Sequence, residues 1–149
     1  MNNTRALLLA AGLGTRLKPF TDIWPKCLMP IRNRPLLEYW LSILQKLGTS
    51  NVLVNTHYLS EYVEDFIKQP QFIDWVDSVY EPSLLGTAGT IRNNIKFCKD
   101  NTLLLAHADN WTCCNFSDFL DYHHNQRPKG IVMTMMTFTC PNPSECGIV

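Results

Sequence analysis

The chain has 149 residues with 13 basic and 13 acidic side chains, a formal net charge of zero, and 46% hydrophobic residues. This composition suits a single compact domain over residues 1–149 with a sizeable core, and argues against disorder. Balanced charge, with no Lys/Arg run outside one loop, leaves no electrostatic case for binding nucleic acid or an anionic membrane.

Residues 1–5 lead straight into a strand too short to span a bilayer, with no cleavable signal pattern, so the expected location is the cytoplasm. Leu7, Leu8 and Leu9 form a continuous apolar run, the pattern of a strand buried on both faces. Ala10 to Gly14 then remove side-chain bulk, which lets backbone come close to a ligand. Gly12 and Gly14 permit positive φ, so successive N–H groups can turn inward as an anion-binding nest, and Arg16, Lys18 and Lys26 add full positive charges nearby. A polyphosphate suits those surroundings. The stretch is not a P-loop, because no Gly-Lys-Ser/Thr closes the glycine run. Nor is it a dinucleotide fingerprint: Leu17 stands at the third glycine position, and Pro19 and Pro25 predict a long loop where that fingerprint needs a helix.

Pro35 opens a predicted helix through Leu47, with Leu36, Leu37, Trp40, Leu41, Leu44 and Leu47 at helical spacing and Gly48 as its stop. Asn51 to Asn55 follows as a strand. Tyr58 to Ile67 reads as a helix with Ser60 as candidate N-cap, and Val76 to Tyr80 as a third strand. The remaining elements are a helix over Thr87 to Phe97, a strand over Thr102 to Ala106, a helix over Phe116 to Asn125 and a fifth strand over Gly130 to Phe138. This alternation predicts an α/β fold, a mostly parallel sheet with helices on both faces, and no repeat or linker marks a domain boundary. The six cysteines include no C-x-x-C pair, and Cys113, Cys114, His123 and His124 read better as scattered residues than as a metal cluster.

Two further stretches carry chemistry. Asp109 follows the fourth strand in Leu103-Leu104-Leu105-Ala106-His107-Ala108-Asp109-Asn110. Ligands of open parallel sheets sit beyond the carboxyl ends of strands where strand order reverses, so a fourth strand beside the first would turn Asp109 towards the glycine loop. On its own, Asp109 reads as the cap of a turn or of the next helix. In Glu81-Pro82-Ser83-Leu84-Leu85-Gly86-Thr87-Ala88-Gly89-Thr90, the glycines allow close approach to a flat ligand, and a helix N-terminus near Thr87 offers free N–H groups.

Leu9 to Thr21, then Pro25-Lys26 and Leu28-Met29-Pro30, resemble the signature of the nucleotidyltransferases that join a nucleoside triphosphate to a sugar 1-phosphate, the NDP-sugar pyrophosphorylases. The resemblance is strongest to mannose and heptose 1-phosphate guanylyltransferases, and it implies a Rossmann-like nucleotidyltransferase fold. It also implies that Leu9, Ala10, Ala11, Gly12, Gly14 and Thr15 hold the nucleotide, and that Arg16 and Lys26 act on its phosphates. Asp109 would bind Mg2+, since the family places a magnesium-binding aspartate in a similar small-residue-Asp-Asn setting. Ala108, where many members have glycine, and Gly147, in a stretch similar to a family Tyr-Gly-Val-Val segment, would bring backbone to the sugar.

The segment from Glu81 through Gly86 and Thr87 resembles the family's base-recognition segment, in which Glu81 would read the nucleobase edge. A carboxylate accepts from two neighbouring donors, which guanine offers at N1 and N2, whereas uracil would better suit an amide. GTP is therefore the expected nucleotide, and the resemblance implies a mannose- or heptose-like 1-phosphate as the second substrate, with release of pyrophosphate. A uridylyltransferase of the same family, or a non-catalytic regulatory module that binds nucleotide or sugar phosphate, are the alternatives. The family pattern continues past Val149 with a Glu-Lys-Pro segment and a second metal-binding aspartate, so the resemblance implies a fold truncated at its C-terminus. A homo-oligomer is left open.

Overall fold

The structure, a computed structural model, describes residues 3–142 and Ser144. The chain divides into two compact units, Met1–Cys113 and Cys114–Val149. In the first unit, β1 (Thr4–Leu9) is followed by a hairpin of β2 (Pro30–Ile31) and β3 (Arg34–Pro35), then α1 (Leu36–Lys46), β4 (Asn51–Thr56), α2 (Ser60–Ile67) and β5 (Val76–Tyr80). It closes with α3 (Gly86–Asn93), α4 (Ile95–Cys98) and β6 (Thr102–His107).

The main sheet has the order β5-β4-β1-β6, and every pairing in it is parallel. The chain steps outwards from β1 through β4 to β5, then returns to pair β6 with the free edge of β1. Strand order therefore reverses at β1. Leu9 lies level with Asn55 on one side and with His107 on the other, so three strand ends open at the same edge of the sheet.

Burial explains the apolar run of β1, because Ala6, Leu7 and Leu8 are all 0% exposed. Leu7, Leu9 and Leu53 pack with Val79, Ile91, Phe97 and Leu103 on one face. Side chains of opposite parity, Ala6, Leu8, Val52 and Val54, are fully buried as well, so both faces are covered. In α1 the stripe Leu37, Trp40, Leu41 and Leu44 is buried at helical spacing. That helix stops at Gly48, whose φ of 69° is left-handed and whose N–H bonds the Gln45 carbonyl at 3.0 Å.

Several boundaries differ from the sequence-based expectation, each for a local reason. Pro35 pairs with Pro30 in the hairpin, and α1 begins one residue later. Ser60 is not an N-cap: it is the first residue of α2, and Leu59, at φ 51°, occupies the capping position. The helix expected over Thr87 to Phe97 is broken at Asn94, whose side chain donates to the Thr90 carbonyl at 2.9 Å and ends α3 before α4 restarts. The proline-rich loop after β1 is built from short 3-10 turns at Thr15–Leu17, Phe20–Asp22 and Lys26–Leu28, the last two each preceded directly by a proline.

In the second unit, α5 (Phe116–Asp121) is capped by Asn115, whose side-chain oxygen accepts from the N–H groups of Ser117 and Asp118. The chain then widens into a π-helical turn, Tyr122–Gln126. Asn125 and Gln126 both donate to Asp121, which holds its carboxyl below the usual range. Asn115→Ala is expected to destabilise α5 by about 1 kcal/mol, read as faster amide exchange confined to that helix. Equal exchange in both proteins would mean that the cap contributes nothing.

The fifth strand expected over Gly130 to Phe138 does not form: the segment pairs with no strand among the described residues. Its composition favours a strand, but a strand needs a ladder partner, and Val132 and Phe138 are left 86% and 80% exposed. No helix among the described residues is long and apolar enough to cross a membrane.

Candidate active site

A pocket of about 210 Å³ opens in the first unit at the carboxyl ends of β1, β4 and β6. Leu9, Ala10, Ala11 and Gly12 form one wall, and Glu81, Leu84, Gly86, Thr87 and Thr90 form another. Lys26, Cys27, Asn55, His107 and Asp109 complete the lining.

The glycine loop takes its shape from Gly14. Its φ is 64°, and a Cβ there would come within 2.8 Å of Thr21 Cγ2 and 3.3 Å of Lys26 Cβ. Thr21 also donates its hydroxyl to the Gly14 carbonyl at 2.9 Å, which ties the loop back on itself. Gly12 does not take a positive φ, so among the glycines of this loop only Gly14 uses the left-handed region.

Lys26 and Asp109 form an ion pair on the pocket wall, and about a quarter of each side chain is exposed. Adjacency of β6 to β1 thus brings Asp109 against the cation of the glycine loop. The turn carrying it is braced, because Asn110 N–H bonds the His107 carbonyl at 3.1 Å and Trp40 Nε1 of α1 donates to the Asn110 carbonyl at 2.9 Å. Cys27 beside this pair is buried, which pushes its thiol up to about 12, so it packs as a neutral group and is no nucleophile.

Glu81 is only 1% exposed and is held on both oxygens. Oε1 accepts from Thr90 Oγ1 at 2.6 Å and from Asn55 Nδ2 at 3.1 Å, while Oε2 accepts the Leu85 N–H at 3.4 Å. Its own N–H bonds the Thr56 carbonyl at 2.8 Å, and His57 Nδ1 donates to its carbonyl at 2.7 Å. A buried carboxylate with that many donors is fixed in position.

Of the residues singled out from sequence, Leu9, Ala10, Ala11, Gly12, Lys26, Glu81, Gly86, Thr87 and Asp109 come together on the pocket wall. Gly14, Thr15, Arg16 and Ala108 are not part of its lining. Thr15 and Arg16 are exposed, and Ala108 is fully buried with its N–H given to the Leu9 carbonyl at 2.9 Å. Gly147 lies outside the described residues. Sequence reasoning passed over Asn55 and Thr90, although a polar residue closing the apolar run Val52-Leu53-Val54 was a signal for the first.

The donor set can be tested against magnesium. This ion is bound through one or two carboxylates, with substrate phosphates and waters completing its octahedron, rather than by a protein cage. Among the described residues no group of three or more His, Cys, Asp or Glu side chains could hold a metal, but Asp109 supplies one partly exposed carboxylate beside a cationic loop. That fits an ion shared with a phosphate ligand.

Comparison with known proteins shows what the chain as a whole is similar to. The family model described as nucleotidyl transferase matches residues 5–149. The chain is 30% identical to the mannose-1-phosphate guanylyltransferase catalytic subunit beta of Drosophila pseudoobscura, over 99% of this chain and 40% of that protein. It is 29% identical to the UTP–glucose-1-phosphate uridylyltransferase of a Synechocystis strain, over 97% of this chain and 40% of that one. The chain thus spans about 40% of the length of these curated relatives. Among solved structures, HddC from Yersinia pseudotuberculosis, complexed with GMP-PN, superposes with a TM-score of 0.70 at 26% identity, covering 84% of this chain and 55% of that one.

Proposed function

We propose that this chain, which belongs to the nucleotidyl transferase family, is the nucleotide-binding portion of a cytoplasmic sugar 1-phosphate guanylyltransferase. Residues 1–149 would bind GTP and contribute to joining its nucleoside monophosphate to a mannose- or heptose-like 1-phosphate, with release of pyrophosphate. The observation that carries this reading is the meeting, in one pocket, of the small-residue loop, the Lys26–Asp109 pair and the buried carboxylate of Glu81.

Each wall has a distinct task in that reaction. A sugar 1-phosphate needs no general base, because with a second pKa near 6 it is already mostly ionised at pH 7. The obstacle is the approach of one anion to another. Backbone N–H groups of residues 9–12 and the Lys26 ammonium would neutralise and orient the triphosphate, with Lys26 acting as a point charge. Arg16, exposed beside the loop, would meet phosphate oxygens with its planar fork. Mg2+ held by Asp109 would supply further charge neutralisation shared with phosphate oxygens. At the other wall, Leu84 offers an apolar surface to a base, and Glu81 offers an acceptor to its N–H edge.

The test is nucleotide binding with and without magnesium, in the wild type and in Asp109→Asn. GTP with magnesium is expected to stabilise the wild type by about 2.7 kcal/mol at a hundred times its dissociation constant. In Asp109→Asn the fold should persist while nucleotide affinity loses its response to magnesium, because the amide keeps the shape and loses the charge that a hard cation requires. The same magnesium response in both proteins would return Asp109 to a turn-capping role. Failure of the wild type to bind GTP would overturn the reading.

A further inference from the structure

Asn55, Thr90 and Glu81 are 3%, 1% and 1% exposed yet all three line the pocket, so the polar atoms of this cluster find partners within the protein or in a ligand seated there. Asn55 sits at the centre of it. Its Oδ1 accepts the Ala10 N–H at 2.7 Å, and its Nδ2 donates to Glu81 Oε1 at 3.1 Å and to Thr90 Oγ1 at 3.3 Å. This amide orientation is forced, since a backbone N–H can only donate and a carboxylate can only accept. Thr90 in turn gives its hydroxyl proton to Glu81 Oε1 at 2.6 Å while accepting from Asn55, so its hydrogen is placed as well.

The consequence for Glu81 is an asymmetry between its two oxygens. Oε1 already accepts from two donors, whereas Oε2 has only the long contact of 3.4 Å from Leu85 N–H. We propose that Asn55 and Thr90 are positioning residues that set the base preference of the pocket, by occupying Glu81 Oε1 and leaving Oε2 as the acceptor for the adjacent N1 and N2 donors of guanine, where uracil would set a carbonyl on each side of its single N–H. Asn55 also joins the two walls, since the same amide fixes the first residue after β1 and the carboxylate after β5. The inference rests on the reading of Glu81 as the residue that meets the base. It assigns to Asn55 and Thr90 an effect on which nucleotide is chosen, separate from any effect on folding.

Dissociation constants for GTP, UTP and inorganic tripolyphosphate, at fixed magnesium, test it in the wild type, Thr90→Val and Thr90→Ser. Valine keeps the shape and removes the hydroxyl. The expected result is a fall of about tenfold in the GTP-to-UTP preference of Thr90→Val, the loss that follows from one hydrogen bond to a charged group. Tripolyphosphate, which meets the glycine loop and not Glu81, should bind unchanged, and Thr90→Ser should restore the wild-type preference. Should the valine variant not fold, Thr90→Ala removes the same hydroxyl and gives the same readout. A retained preference in the hydroxyl-free variant would overturn the proposal. So would a parallel loss for all three ligands, which is the mark of a merely structural role. A wild type with no preference for GTP would overturn the base reading and this inference with it, and that result is visible before any substitution is made.

Discussion

Glu81→Gln is expected to lower GTP affinity and raise relative UTP affinity, changing the ratio on the order of a hundredfold. The direction follows from how the side chain is held. Thr90 and Asn55 both donate to Oε1, so the new amide keeps its oxygen there and puts its NH2 where Oε2 now stands. A guanine N–H would then face a donor, and each buried group left unpaired costs about 1–3 kcal/mol. For uracil the substitution has the opposite sign: it removes repulsion between a carboxylate and a carbonyl, and supplies the donor that the carbonyl lacks. Direct titration of GTP and UTP into both proteins decides the matter. Affinities that move together would mean that backbone near Gly86 holds the base and that Glu81 only closes β5. A wild-type preference for UTP would refute the guanine assignment outright.

Lys26→Ala is the second large effect, with turnover expected to fall by about 10²–10³ at saturating GTP and sugar 1-phosphate. The ammonium is one of the two charges that meet on the pocket wall, and a developing negative charge on the departing pyrophosphate needs a preorganised cation. Lys26→Arg should not restore the rate, because a planar fork cannot occupy the place of a compact ammonium paired with Asp109. Pyrophosphate release measured in the three proteins gives the answer. Turnover in Lys26→Ala within about threefold of wild type would remove Lys26 from the chemistry.

How much of this was legible in the sequence depended on how local each signal was. The apolar run of β1, the α1 stripe and the glycine after α1 are local patterns, and all of them appear as expected. The position of Asp109 was legible only conditionally, since it needed β6 to pair with β1. Asn55 and Thr90 were harder still. The hydrogen bonds of Asn55 reach residues 26 to 45 positions away, which no local window contains, and Thr90, though only 9 positions from Glu81, takes its place in the cluster through Asn55, 35 positions away. At Gly130 to Phe138 the local signal itself misled, because β propensity describes a fit to a neighbouring strand that the described residues do not provide.

The parallel ladder between β1 and β6 joins residue 4 to residue 102, the first strand of the chain to the last of its sheet. Closing so long a loop is slow, because its entropy must be lost before the contacts that reward it can form. During synthesis the glycine loop and Lys26 leave the ribosome long before Asp109. Until β6 arrives, one edge of β1 offers unpaired N–H and C=O groups along an otherwise apolar strand, the template on which misassembly begins. The pocket at the sheet edge, with its Lys26–Asp109 pair, is therefore completed late, with the final strand pairing, and not when the glycine loop itself emerges.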